Sequence, residues 1–209
     1  MSNKKPIFRA DHVGSLLRPQ AVKDARKACL EDRNINTDVL SSIEDEAISQ
    51  AVMMQESAGL KSVTDGEYRR SFWHYDFLGG LTGLELVERD QGLKFSAATL
   101  RPIFPTIPDK LDFPDDHPML AHFVYLASIS NVEPKISIPG PSCCHFRTAV
   151  TDIKPAEYKD LEVLFADITR TYAKAVKAFY AAGCRYLQMD DIFFAYLCDS
   201  KIRAEKKAQ

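Results

Sequence analysis

An α/β fold on a parallel sheet is what this sequence predicts, and two copies of one local pattern carry the prediction. In each copy a helix-period segment ends at Ala-Gly, a short β-prone run follows, and acidic residues close it: Ala58-Gly59 to Glu67, then Ala182-Gly183 to Asp191. Helices and strands alternating in this way build parallel sheets. In such folds the polar residues at strand C-termini make the site.

The elements follow in order. Ile7 to Val13 reads as a short strand broken by Gly14-Ser15, with Pro19 placed for a first helical turn. From Thr37, residues Leu40, Ile43, Ala47, Ala51, Met54 and Ala58 recur at helical spacing, and Gly59 suits a left-handed cap. Lys61 to Thr64 is a brief β-prone run ahead of Asp65-Gly66-Glu67. Gly79 to Phe113 is richer in Gly and Pro, with β-prone pieces at Leu84 to Val87 and Leu93 to Phe95, and reads as an insertion. Met119 to Ile129 suits a helix, and Lys135 to Ile138 a strand stopped by Pro139-Gly140-Pro141-Ser142. Behind Pro155, the residues Leu161, Leu164, Ile168, Tyr172, Ala175 and Phe179 line one helical face up to Gly183. Arg185 to Met189 is then a strand, and a helical stretch from Ile192 passes into a solvated polar tail. The count is four strands and an insertion in a single domain, 1–209.

With 27 Lys plus Arg against 29 Asp plus Glu, there is no global basic field to recruit nucleic acid or anionic lipid. No stretch approaches the roughly 20 apolar residues of a membrane span, and no apolar run follows the basic start. Small-molecule partners and a cytoplasmic location are the expectation. The five cysteines lack CxxC spacing and read as reduced thiols. GxGxxG, P-loop, GxSxG and HExxH patterns do not occur, which argues against dinucleotide, nucleotide, serine hydrolase and zincin chemistry.

Four acids, Asp65, Glu67, Asp190 and Asp191, would converge if both strands share one sheet, where carboxylates can grip an ammonium or move a proton. Capping of the following helix is the plainer reading for Asp65 and Asp191; for Glu67 and Asp190 both stay open. His12-Val-Gly-Ser15 offers bare backbone amides and a hydroxyl, suited to an anion but also to an ordinary turn. On an extended chain only Cys143 and His145 of the Cys-Cys-His run could face one metal, short of the three or four ligands zinc takes. The arginines at 18, 69, 70, 101 and 147 could hold a polyanionic tail or simply lie on the surface.

Taken together, Arg9-Ala-Asp-His-Val-Gly-Ser-Leu-Leu-Arg-Pro19, Thr64-Asp-Gly-Glu-Tyr-Arg-Arg70, Ile138-Pro-Gly-Pro-Ser142 with His145-Phe-Arg147, and Tyr186-Leu-Gln-Met-Asp-Asp191 resemble the cobalamin-independent methionine synthase family, in its short single-barrel bacterial form. The resemblance implies a TIM-type (β/α)8 barrel, present here as its N-terminal part only. It implies transfer of methyl from a methyl-tetrahydrofolate donor to the sulfur of homocysteine, with zinc holding that sulfur as the nucleophilic thiolate. On this resemblance Gly14 and Ser15 clamp the amino-acid carboxylate, Glu67 and Asp190 bind its ammonium, and His12 and Arg18 lie beside them. The family's metal ligands include a His-x-Cys pair, and none occurs in these 209 residues, so catalysis and zinc binding are expected to need residues beyond 209, either on a separate C-terminal-half chain or absent because the sequence is a truncated product. Two other readings stand beside this one: alkyl transfer from an epoxide to coenzyme M by similar zinc chemistry, and a non-catalytic remnant that pairs with a partner or with itself as a homo-oligomer.

Overall fold

The computed structural model of the chain describes residues 10–89 and 103–208. Its helices are α1 (Gln20–Leu30), α2 (Thr37–Ser57), α3 (Tyr75–Leu78), α4 (Pro118–Ile129), α5 (Leu161–Ala181), α6 (Phe193–Tyr196) and α7 (Ser200–Ala208). Its strands are β1 (Ser62–Val63), β2 (Glu85–Glu88), β3 (Ile103–Thr106), β4 (Glu133–Pro139) and β5 (Tyr186–Asp190). The three strands β1, β4 and β5 form one sheet in the order β1-β4-β5, with β1 and β4 parallel and Ser62 opposite Glu133. The α/β class with a parallel sheet is therefore as expected.

The chain divides into two compact units. The first takes in the described residues up to Trp73, together with Leu120–Ser137 and Phe179–Gln188. Its core gathers Val22, Ala47, Ile48, Ala51, Val52, Val63, Tyr68 and Leu126, with Ile43 and Leu16 against it. Each valine, isoleucine or leucine among them contributes on the order of 1.5–3 kcal/mol when fully withdrawn from water. Helix α2 starts at Asn36, whose side chain accepts a hydrogen bond from the N–H of Val39, and closes at Gly59 with φ +87°. The buried face runs through Ile48, Val52 and Gln55, so Met54, expected inside, points to solvent. Gln55 takes that inner position because its amide bonds both backbone groups of Thr64, accepting from N at 3.0 Å and donating to O at 2.9 Å. The end of α2 is thereby tied to the end of β1.

The second unit takes in the described parts of His74–Met119, Ile138–Ala178 and Met189–Gln209. Strands β2 and β3 form an antiparallel pair in register from Glu85↔Thr106 to Glu88↔Ile103, inside the stretch read as an insertion. The expected piece Leu93 to Phe95 lies outside the described residues, and β3 was not anticipated because Pro105 interrupts its β-prone pattern. On α5, Leu164, Ile168, Tyr172 and Ala175 are buried as the periodicity requires, whereas Leu161 is exposed in the first turn.

The expected strand from Ile7 to Val13 is not formed in its described part: residues 10–13 carry no strand. The carbonyls of His12 and Val13 are taken by side chains, Lys135 at 2.6 Å and Gln188 at 2.9 Å, which leaves no ladder to build. Among the described residues no helix is long and apolar enough to cross a membrane.

Candidate functional site

The turn after β1 is the most constrained feature of the first unit. Thr64 Oγ1 accepts from the N–H of Gly66 at 3.2 Å, and Asp65 Oδ1 accepts from the N–H of Glu67 at 2.9 Å. This caps a turn and not the helix expected after Asp65, since residues 66–69 form a turn and no helix follows directly. It carries the chain through two successive positive-φ residues, Gly66 at +64° and Glu67 at +59°. Glycine tolerates that conformation, but glutamate is strained in it, and such strain persists only where the surroundings over-determine it. A Cβ at Gly66 would also come within 3.0 Å of the Tyr68 ring and 3.2 Å of Leu16. Gly66→Ala is expected to cost about 1–2 kcal/mol, read as a lower urea midpoint; an unchanged midpoint would contradict this turn geometry.

The turn aims the Glu67 side chain inward, where it is buried. One carboxylate oxygen accepts from Ser137 Oγ on β4 at 3.2 Å and lies 3.7 Å from the Arg70 guanidinium. Arg70 itself is held, donating to the carbonyls of Ser137 at 2.7 Å and Trp73 at 3.2 Å. From outside, Arg18 donates to the carbonyls of Glu67 at 2.7 Å and Arg70 at 2.6 Å. Arg18, expected beside the substrate, thus has its guanidinium turned to backbone carbonyls and acts on the turn. Arg69 pairs with Glu44 and Asp45, and Glu44 also receives Arg26. Burial holds the Glu44 carboxyl above its usual range against the pull of both arginines. None of the arginines at 18, 69 and 70 is the loose surface cation that a polyanionic tail would need; Arg101 lies outside the described residues.

The segment from Asp11 to Arg18 runs beside this turn. Leu16 donates its N–H to the carbonyl of Gly66 at 3.1 Å. Gly14 and Ser15 are exposed, and a Cβ at Gly14 would meet nothing within 4 Å. Packing does not demand glycine here, and open space adjoins the loop. The ring of His12 is half-buried, and among the described residues its Nε2 is shielded without a hydrogen-bond partner.

Lys135, Asp11, Tyr186 and Ser137 were not anticipated as site residues. Lys135 and Ser137 alternate with Ile136 and Ile138 along β4, so the period-2 pattern puts two polar side chains on one face of a buried strand. That was the available signal. Lys135 donates to Asp11 at 2.7 Å, and Ser62 donates to the other Asp11 oxygen at 2.9 Å. Burial pushes the Asp11 carboxyl up, but the hydrogen bonds from Lys135, Tyr186 and Ser62 outweigh it and hold the group below its ordinary 3.8.

In the second unit, Asp190 ends β5, half-buried, and its carbonyl accepts from the N–H of Gly140 at 2.8 Å. Asp191, expected to cap a helix, instead accepts from the Ser142 hydroxyl, and Ile192 occupies the cap of α6. Gly140 permits this contact, since a Cβ there would stand 2.6 Å from the Asp191 carboxylate. Cys143 and Cys144 lie in a short 3-10 helix, Pro141–Cys144, with His145 at its C-terminus. The extended geometry that would have let Cys143 and His145 face one metal is therefore absent. His145 packs edge-on against Phe165 with ring centroids 5.0 Å apart, and burial, then the charge of Lys206, lowers its pKa. Burial raises the Cys143 thiol and pushes Cys144 up to about 12. Among the described residues no three His, Cys, Asp or Glu side chains gather as a metal site.

No family model matches the chain. Two uncharacterized proteins of Bacillus subtilis are similar to it: YxjH, 42% identical over 208 residues, and YxjG, 40% identical over 205. They cover 98% and 96% of this chain, which spans 53% and 52% of theirs. Among solved structures, a Listeria monocytogenes protein provisionally named a vitamin-B12-independent methionine synthase matches with TM-score 0.77 and 38% identity, over 93% of this chain and 55% of that one. A B12-independent methionine synthase of Shewanella sp. W3-18-1, solved with selenomethionine, matches with TM-score 0.58 over 79% of this chain and 48% of that one; at 21% identity it speaks for the fold alone. The chain spans about half the length of the relatives it matches.

Proposed function

We propose that this chain is of the cobalamin-independent methionine synthase-like family, a reading that its 38% identity to the Listeria monocytogenes structure supports, and that its first unit binds the amino-acid end of a thiol substrate, homocysteine, for methyl transfer from a methyl-tetrahydrofolate donor. The reading carries with it a TIM-type (β/α)8 barrel, of which the β1, β4 and β5 sheet is a part, and a cytoplasmic location.

One observation supports the reading above the others: the buried, conformationally strained Glu67. A carboxylate taken out of water costs several kcal/mol unless it is paired. Here it is paired and hydrogen-bonded by Arg70 and Ser137, on a backbone held at positive φ. An acid so held is pre-organised to receive a substrate ammonium without rearrangement. The exposed loop at Gly14 and Ser15, with its backbone amides and hydroxyl, suits the substrate carboxylate. His12 flanks the loop.

The resemblance implies zinc to hold the sulfur as thiolate. The described residues of this chain do not fit that ion: they assemble no three-ligand group, and burial disfavours the thiolate form of Cys143 and Cys144. What these residues offer is binding and orientation of the amino-acid end of the substrate.

Titration calorimetry of the 209-residue chain tests the reading with four thiols: homocysteine, its deamino analogue, its decarboxylated analogue and coenzyme M. Homocysteine is expected to bind at least about tenfold tighter than the deamino analogue, the value of one charge-assisted hydrogen bond. Equal affinities would remove the role of Glu67. Preference for coenzyme M would favour the epoxide-to-thiol reading, and no thiol binding at all would favour an interaction protein.

A further inference from the structure

We propose that Lys135 is a positioning residue, which acts through Asp11 and the carbonyl of His12 to orient the Gly14-Ser15 loop toward the carboxylate of an amino-acid ligand; the inference rests on the substrate reading above. Lys135 sits in β4 with its side chain 1% exposed. An ammonium buried to that degree is costly, and an apolar residue would fill the same space without the penalty. Its contacts show what the charge does. Nζ donates to Asp11 Oδ2 at 2.7 Å and to the His12 carbonyl at 2.6 Å, and lies 5.0 Å from the centroid of the Tyr186 ring. Tyr186 donates its hydroxyl to the same Asp11 oxygen, and Ser62 to the other at 2.9 Å.

The next carbonyl is held too, since Gln188 on β5 donates to Val13 at 2.9 Å. A trans peptide is planar, with its C=O and the following N–H pointing in opposite directions. Holding the carbonyls of His12 and Val13 toward β4 and β5 therefore turns the N–H groups of Val13 and Gly14 away from those strands. Downstream, Leu16 and Arg18 fasten the loop to the Glu67 turn. Gly14 and Ser15 lie between two anchored flanks, one set by Lys135 and the other by Arg18. Among the described residues nothing hydrogen-bonds their own N–H groups.

The test compares homocysteine with its decarboxylated analogue, by calorimetry, on wild type and Lys135→Met. A second variant, Lys135→Met/Asp11→Leu, removes both charges together and so leaves none buried alone should the single variant fold poorly. Wild type is expected to prefer homocysteine at least about tenfold. In either variant the preference should shrink to within about twofold, with affinity for the decarboxylated analogue unchanged, a pattern that mere loss of stability would not produce. If wild type discriminates and a folded variant discriminates equally, the positioning role is overturned while the substrate reading stands. A wild type that does not discriminate overturns the carboxylate clamp, and this role with it.

Discussion

Replacing Glu67 by Gln is expected to weaken homocysteine binding by about 10- to 100-fold while the chain stays folded. The substitution keeps the size of the side chain and its hydrogen bond with Ser137, and removes only the charge that faces the ammonium. A hydrogen bond to a charged group contributes about 1.5–3 kcal/mol, and about 1.4 kcal/mol is tenfold in affinity. Arg70 loses an ion partner at 3.7 Å but keeps the carbonyls of Ser137 and Trp73, so the turn should survive. Affinity for the deamino analogue should not fall. If the variant binds both ligands as wild type does, Glu67 is a structural acid. If it loses both equally, the substitution has disturbed the turn and not a single contact.

The second large effect concerns stability. Lys135→Met strands the Asp11 carboxylate without its counter-ion, and removing one partner of a buried pair costs about 3–5 kcal/mol. Asp11 keeps Tyr186 and Ser62 and is 18% exposed in its side chain, which places the expected loss near the lower end, about 3 kcal/mol by urea denaturation. Adding Asp11→Leu should recover part of it. The pH dependence has a definite sign. Because the folded-state pKa of Asp11 is depressed, its contribution is present above the ordinary 3.8 and is lost as pH falls through the lowered value. The stability gap between wild type and Asp11→Asn should therefore be widest near neutrality and close in strong acid. A gap independent of pH would mean that the pair with Lys135 does not form.

The regular elements were legible in the sequence because they repeat. Helix α2, with Gly59 after it, and helix α5, with its buried stripe ending at Phe179, follow directly from periodicity. The acids at the ends of β1 and β5 were legible as well, because Asp-Gly-Glu and Asp-Asp interrupt apolar strands. Three things were hidden. The Ile7 to Val13 segment carries a strand-like pattern, yet in its described part side-chain donors from β4 and β5 outcompete a backbone ladder for the His12 and Val13 carbonyls. Lys135 could not be matched to Asp11, 124 residues away, without knowing that β4 lies beside β1. The strain at Glu67 was equally invisible, since residue identity does not reveal a positive φ at glutamate.

Amide-resolved NMR titration of the 209-residue chain with L-homocysteine tests the central claim most directly. Saturable shifts concentrated at Gly14, Ser15 and Glu67 are expected, and their loss in Glu67→Gln. Shifts that avoid those residues, or a spectrum unmoved by the amino acid, would contradict it.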